Sequence, residues 1–437
     1  MGNNTGFLEK QFKLSQNGTN VKTEVIAGLT TFMSMAYILV VNPDILSNTG
    51  MDKGALFTAT AVASAAATLI MSFLANYPFV LAPGMGLNAF FAFSVVLGMG
   101  HSWQFALTAV LIEGIIFILL TFLKVREAIV NSIPMTLKHA VSVGIGLFIA
   151  FIGFVNAKLV IANESTLVGL GSIKDPNAIV AIVGLIVTVI LLAKNVKGAM
   201  LIGIVVGTIV GIPLGVTPIP TSIFALPPSV SPIALKFVGF DQILTFDMFM
   251  ILITFLFVDM FDTIGMLIGT ATKAGMLDKN GKLPRVERAL FADAFGTTFG
   301  AILGTSTVTT FAESATGVAE GGRTGLTSLV SGGLFIAALF LAPLFTIVPS
   351  SATAPALIIV GLFMMSSILD IDFNDITESF PAFLAIVMMP FTYSIGEGLS
   401  FGIMSYAAVK LLSGRGKEVS PVIYILAILF AARLILL

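Results

Sequence analysis

The chain has no cysteine, only two histidines (His101 and His139), a single tryptophan, and charged side chains at just 10% of its 437 positions. Without cysteine, disulfides, thiolate chemistry and iron–sulfur ligation are excluded. Two histidines leave little for a zinc or haem site, so no metal and no cofactor is expected. With 22 basic and 23 acidic residues the net charge is −1, which carries no sign of a nucleic-acid partner. Polar connections never exceed about thirty residues, too short for a soluble domain. The first 22 residues lack a short apolar core with a cleavage site, so they do not read as a signal peptide.

What is abundant is apolar. Hydrophobic residues make up 57% of the chain and the mean hydropathy is +1.04, far from soluble averages. Runs of about 17–22 apolar residues recur along the chain, and each could cross a bilayer. This is a polytopic, all-α membrane protein. The expected spans cover residues 25–41 (ended by Asn42-Pro43), 54–74, a broken third segment, 105–123, 137–154, 179–192 and 200–216. After a proline-rich connection come 246–268, 290–303, a broken tenth segment, 326–344, 356–369, 383–391 and 399–412, with 422–437 surplus to fourteen. The expected division is a cytoplasmic lead 1–22, a first half 23–216, a connection 217–244, a second half 245–413 and a tail 414–437 with an extra apolar helix. That last run either spans or lies at the inner surface. Lys124, Arg126, Lys194, Lys197, Lys273, Lys279, Lys282, Arg285, Arg288, Arg323, Lys410, Arg415 and Lys417 fall on one side if the N-terminus is cytoplasmic. The other side holds only Lys53, Lys158, Lys174 and Lys236, as the positive-inside rule requires.

Two stretches break the helical pattern. GTSTVTTFAESATGVAEGGRTG, from Gly304 to Gly325, opens with β-branched residues that favour a strand. It then turns through Phe311 and Ala312 into Glu313, Ser314 and a glycine-punctuated helix. Earlier, a β-prone lead meets Pro83, which lacks an N–H; Gly84 and Gly86 permit close approach, and Asn88 opens a helical run. Non-helical backbone at membrane depth persists only when buried in protein or lining a cavity. One interrupted segment in each half is the best sequence pointer to a transporter's solute site. The competing reading, glycines for helix packing alone, does not need the polar Asn88 and Glu313.

Intramembrane carboxylates complete the pattern. Asp259 and Asp262, three apart, share a face of the eighth span. Their proximity and burial suit one of them, or Glu313, to hold a proton, as proton coupling requires. Glu313 fits a solute rich in N–H and ring-nitrogen edges, such as a nucleobase, and Phe311 offers a stacking face. The aspartates could instead only bond neighbouring helices, and Phe311 could serve lipid contact or packing. Glu24 suits its helix dipole. Glu113 reads equally as structural or functional. Glu320, Glu378, Glu397 and the run 370–375 read as solvated, Arg323 as an inner-surface anchor, and His101 beside Trp103 as interfacial.

Four ordered motifs, TTFMSMAYILVVNP (30–43), APGMGLNAFFAF (82–93), FVDMFDTIG (257–265) and TFAESATGVAEGGRTG (310–325), resemble nucleobase–cation symporters. Within that superfamily the chain is similar to the adenine/guanine/hypoxanthine permease branch. The resemblance implies fourteen transmembrane segments as 7+7 inverted repeats. A core domain (spans 1–4 and 8–11) would carry the substrate, and a gate domain (5–7 and 12–14) would dimerise. It also implies strand plus half-helix structure for spans three and ten. It implies base-binding roles for Asp262 with Asp259 one turn earlier, for Glu313, for the Ala312 backbone N–H, for Phe311 and for Asn88. The Glu-Asn pair of the uracil branch is absent, since Ser314 follows Glu313.

The expected function is therefore proton-coupled import of purine nucleobases (hypoxanthine, guanine or adenine) by alternating access. The chain would be a multi-pass plasma-membrane protein with a cytoplasmic N-terminus. Substrate contacts are expected from Gly86, Asn88, Asp259, Asp262, Phe311, Ala312 and Glu313, proton coupling from Asp259, Asp262 or Glu313, with sodium as the alternative ion. Rival readings are an anion carrier of the same architecture, a passive channel, and a membrane-embedded enzyme. Three site carboxylates argue against the first, and i, i+3 spacing of the aspartates against the last.

Overall fold

The computed structural model describes residues 6–123, 134–220, 222–278 and 283–436. Lys124, Arg126, Lys279 and Lys282 of the basic connections lie outside them. The chain is mostly helical, and eight helices among the described residues are long and apolar enough to cross a membrane. Shorter apolar helices accompany them at Met85–Gly98, Ala199–Gly211, Ile376–Phe391 and Pro421–Ile435.

A short α1 (Phe7–Phe12) in the polar lead buries Phe12 with Leu14 against Leu326. The first long segment is α2 (Val21–Met35) followed by α3 (Ile38–Ser47). Asn42-Pro43 does not end it, as the sequence suggested. Pro43 lies inside α3, and the helix instead breaks at Ala36-Tyr37, more than a turn earlier. The missing proline N–H and the ring's clash with the preceding turn disturb the chain upstream of Pro43 rather than after it. α4 (Lys53–Ile70) is capped by the Asp52 carboxylate, which accepts from the Ala55 N–H at 2.7 Å, and continues through a wide turn over Met71–Ala75.

The two broken segments form as expected and pair with each other. β1 (Leu81–Pro83) leads into α5 (Met85–Ala89), which widens over Phe90–Gly98. After α6 (Trp103–Leu123), α7 (Met135–Asn156) ends in an exposed hairpin, β2 (Val160–Asn163) with β3 (Leu167–Leu170). This hairpin amends the all-helical expectation: the Asn163 side chain accepts from the Ser165 and Thr166 N–H groups and turns the chain back. There follow α8 (Pro176–Ala193), α9 (Ala199–Gly211), α10 (Phe246–Lys273) and α11 (Val286–Leu303). β4 (Val308–Thr310) then opens the second broken segment and α12 (Ser314–Ala319) is its half-helix. β1 and β4 run antiparallel, with Leu81 opposite Thr310, Ala82 opposite Thr309 and Pro83 opposite Val308. The chain closes with α13 (Gly325–Ala338), α14 (Ser350–Met365), α15 (Ile376–Phe391), α16 (Ile395–Leu412) and α17 (Pro421–Leu436).

Several carboxylates read as solvated are in fact paired. Glu378 meets Lys410 at 2.7 Å, Glu397 meets Arg433 at 2.8 Å, and Glu320 pairs with Lys197. Asp375 of the 370–375 turn pairs with Arg415 at 2.6 Å. Lys410 is fully buried, because its ammonium is held by Glu378 and by Glu418 at 2.9 Å. The last apolar helix does not lie across the end of α16. Arg433 reaches Glu397 at the start of α16, while Tyr424 donates to the Gly416 carbonyl just past its end, so α17 runs antiparallel along it.

Glu24 does more than complement its own helix. It is fully buried and reaches across to the start of α13, accepting from the N–H groups of Arg323 (2.8 Å), Thr324 (3.3 Å) and Thr327 (3.1 Å) and from the Thr327 hydroxyl (2.6 Å). These are the donors that a helix N-terminus leaves unsatisfied. Arg323 meanwhile donates to the Val318 and Gly322 carbonyls at the end of α12. Glu24→Ala is therefore expected to destabilise the fold by about 3 kcal/mol, and Glu24→Gln by less, because the amide oxygen still accepts. Unfolding of the purified variants in detergent measures both.

At the α15–α16 end, hydrogen bonds from Arg415 and then Lys410 pull the Glu418 carboxyl down to about 2. Its contribution is complete above the ordinary carboxylate range and is lost as pH falls through about 2. Arg415→Ala should move that loss to higher pH, visible as earlier acid unfolding.

Candidate solute site

The site forms where β1 and β4 cross, because each broken segment supplies what the other lacks. The Phe311 N–H donates to the Val80 carbonyl and the Gly84 N–H to the Thr307 carbonyl, both at 3.0 Å. Flanking helices complete the ladder. Thr68 of α4 accepts from the Leu81 N–H at 3.0 Å and donates to the Leu81 carbonyl at 3.2 Å. Thr297 of α11 treats Val308 in the same way, at 3.3 and 3.0 Å. Without these partners the extended backbone would leave buried N–H and C=O groups unpaired.

Glu313 stands at the head of half-helix α12, only partly buried, beside exposed Ala312. The Tyr37 hydroxyl, from the break between α2 and α3, donates to its Oε1 at 2.5 Å. Asp262 is half-buried on α10, and its Oδ2 lies 3.4 Å from where a Cβ on Gly84 would stand. That Cβ would also approach the Thr309 methyl to 2.7 Å, so glycine is what lets the two segments meet beside the carboxylate. The same side of α10 stays open beyond Asp262: Gly265 and Gly269 are exposed.

Asp259 takes a different place from its neighbour. It is fully buried, and Thr263 Oγ1 lies 3.0 Å from its Oδ1, 3.0 and 3.1 Å from the two oxygens of Asp293 on α11, and 2.8 Å from Thr309 Oγ1. The i, i+3 aspartates thus divide, one toward the open side and one into a buried polar cluster.

Asn88 is fully buried and accepts from the Ser306 hydroxyl, while its amide reaches the Pro83 carbonyl at 3.5 Å. It ties the first half-helix to the second strand's lead. Glu113 acts similarly, accepting from Thr307 at 2.7 Å. Gly86 faces away: a Cβ there would stand 2.8 Å from the Ile145 side chain of α7. Phe311 is buried. Of the expected site residues, Asp262 and Glu313 are thus partly exposed and Ala312 exposed, while Asn88, Asp259 and Phe311 are buried. Among the described residues no cluster of three or more His, Cys, Asp or Glu suits a metal ion.

The sequence reading missed Tyr37, Thr263 and Asp293. Asp293 carried a usable signal, a carboxylate inside an apolar span. Tyr37 carried only its position six residues before an intramembrane proline.

Thr263 is the hydroxyl that both buried carboxylates share. Thr263→Val should destabilise the protein by about 2 kcal/mol, the cost of removing a donor from buried carboxyl acceptors, and Thr263→Ser should recover most of it. Thermal unfolding of the two variants in detergent checks this.

Among relatives, the chain is 51% identical over 431 residues to MJ0326 of Methanocaldococcus jannaschii, covering 99% of each chain. It is 46% identical over 429 residues to the guanine/hypoxanthine permease PbuG of Bacillus subtilis (96% of this chain, 97% of that one). It is 41% identical over 436 residues to the adenine permease AdeQ of Escherichia coli (100% and 98%). Among solved structures, the transmembrane domain of a cyanobacterial bicarbonate transporter, BicA, matches with a TM-score of 0.63 at 15% identity, covering 87% of this chain and 97% of that one. The murine anion transporter Slc26a9, in its inward-facing state, matches with a TM-score of 0.63 at 12% identity (90% and 68%). Those two likenesses concern the fold alone. The permease family matches residues 22–400. With that match and these relatives, the chain belongs to the permease family and is a membrane transporter.

Proposed function

We propose that the chain imports purine nucleobases across the plasma membrane by proton-coupled alternating access. The observation that carries this reading is that Asp262, beside Gly84, and Glu313, at the head of α12, are carboxylates left partly exposed next to the two broken segments that pair with each other. Carboxylates there accept from the N–H groups of a neutral heterocycle and repel an anion. The names of the relatives, adenine permease and guanine/hypoxanthine permease, point to the same substrate class. The fold likeness to anion transporters does not outweigh the acids, so the anion reading is set aside.

In this reading fourteen crossings form two inverted repeats of seven, residues 23–216 and 245–413, joined by 217–244. The paired roles of Thr68 and Thr297, one on the helix preceding each broken segment, support such a repeat. Spans 1–4 and 8–11 form the core, spans 5–7 and 12–14 the gate, and the gate makes a homodimer. The N-terminus is cytoplasmic, as the basic connections suggest. Asp262 and Glu313 hold the base edge beside the Ala312 N–H. A proton taken up within Asp259, Asp262 and Glu313 couples binding to the movement of core against gate. Sodium is the alternative coupling ion.

Radiolabelled hypoxanthine uptake into proteoliposomes, with an inward proton gradient and with the gradient collapsed, tests the reading. Gradient-dependent accumulation, competed by adenine and guanine but not by uracil or sulfate, is expected. Asp262→Asn and Glu313→Gln should each lower uptake at least about tenfold, since each removes a charge from the site. Full uptake by both variants, or accumulation that follows sodium alone, would overturn the assignment.

A further inference from the structure

Tyr37 is the one side chain among the described residues whose hydroxyl holds the Glu313 carboxyl. It is itself fully buried, at the break between α2 and α3 that precedes Pro43. A phenol has one proton to give, and here it is given to Oε1 at 2.5 Å, the short distance of a hydrogen bond to a charged acceptor. Glu313 heads a half-helix and is only partly buried beside exposed Ala312, and Tyr37 engages its Oε1.

We propose that Tyr37 is a positioning residue for substrate recognition: it holds Oε1 of Glu313 as an acceptor, so that Oε2 alone meets the nucleobase. The inference rests on the purine reading above. It has a consequence for polarity. With Glu313 ionised, Oε2 accepts from a ring N–H. With Glu313 protonated, the carbonyl-like oxygen stays on Tyr37 and Oε2 carries the proton, so the same point in the site donates to a ring nitrogen. Tyr37 would thus convert one protonation event into a defined reversal of hydrogen-bond polarity, instead of a rotation of the carboxyl. Hypoxanthine and adenine differ in this respect, since position 1 is an N–H donor in the first and an acceptor in the second.

The test uses binding of radiolabelled hypoxanthine to the purified full chain, competed by unlabelled hypoxanthine and adenine, in wild type, Tyr37→Phe, Glu313→Gln and the double variant. A carboxylate accepts through either oxygen, so Tyr37→Phe alone should weaken both bases about tenfold and leave their ratio unchanged. An amide is unsymmetrical. In Glu313→Gln, Tyr37 should hold the amide oxygen and present the NH2 to the base, shifting the hypoxanthine-to-adenine ratio by about tenfold from wild type. In the double variant the amide is free to turn, and the shift should shrink below about threefold. A merely structural Tyr37 would leave the ratio the same in the two Gln-bearing proteins, and that result overturns the inference while leaving the purine reading intact. Failure of the wild type to bind either base overturns the purine reading and the inference with it.

Discussion

The geometry of the candidate site hangs on six residues of extended backbone. β1 and β4 come from opposite halves of the chain, more than two hundred residues apart, and each is too short to be a strand by itself. In a bilayer interior their N–H and C=O groups have no water to turn to, so pairing with each other is close to obligatory. The pairing then dictates the rest. It brings Gly84 against Thr309, places Asp262 beside both, and sets half-helix α12 with Glu313 at its head.

The polar residues around the crossing divide between scaffold and site. Thr68, Thr297, Asn88 and Glu113 spend their hydrogen-bonding capacity on the strands and their leads. Asp259, Asp293, Thr263 and Thr309 form a buried cluster one step behind. Asp262 and Glu313 are left partly open. A buried polar network of this kind is stable only when its members satisfy one another, and it rigidifies what it surrounds. The two partly exposed carboxylates are therefore framed by fixed groups.

Farther out, charge is used to bind helix ends together. Glu24 gathers the orphan donors at the start of α13, and Lys410 lies fully buried between two carboxylates near the end of α16. The pair Arg433–Glu397 lays the last helix along α16. Read one residue at a time, Glu378 and Glu397 looked like span-end solvation and Glu24 like a complement to its own helix dipole. Their partners sit on other helices, and no local pattern announces them.

How much could be read in advance follows from that distinction. The membrane class, the two broken segments and the candidate acids Asp259, Asp262 and Glu313 were legible, because hydropathy, Pro83 with its glycines, and the β-branched run at 305–310 act over a few neighbours. The helix stop assigned to Asn42-Pro43 failed because a proline disturbs the turn before it, and only packing decides where the chain yields. Tyr37 and Glu313 are 276 residues apart, and Glu24 and Arg323 are 299 apart, so their meeting was invisible. The sequence by itself determined that this chain must live in a membrane and must be interrupted twice there, since burial of apolar surface and satisfaction of backbone are composition-level demands. Which carboxylate stays partly exposed, which is buried, and which hydroxyl holds it was decided by the tertiary structure alone, because those outcomes depend on helices that meet only after the chain has folded.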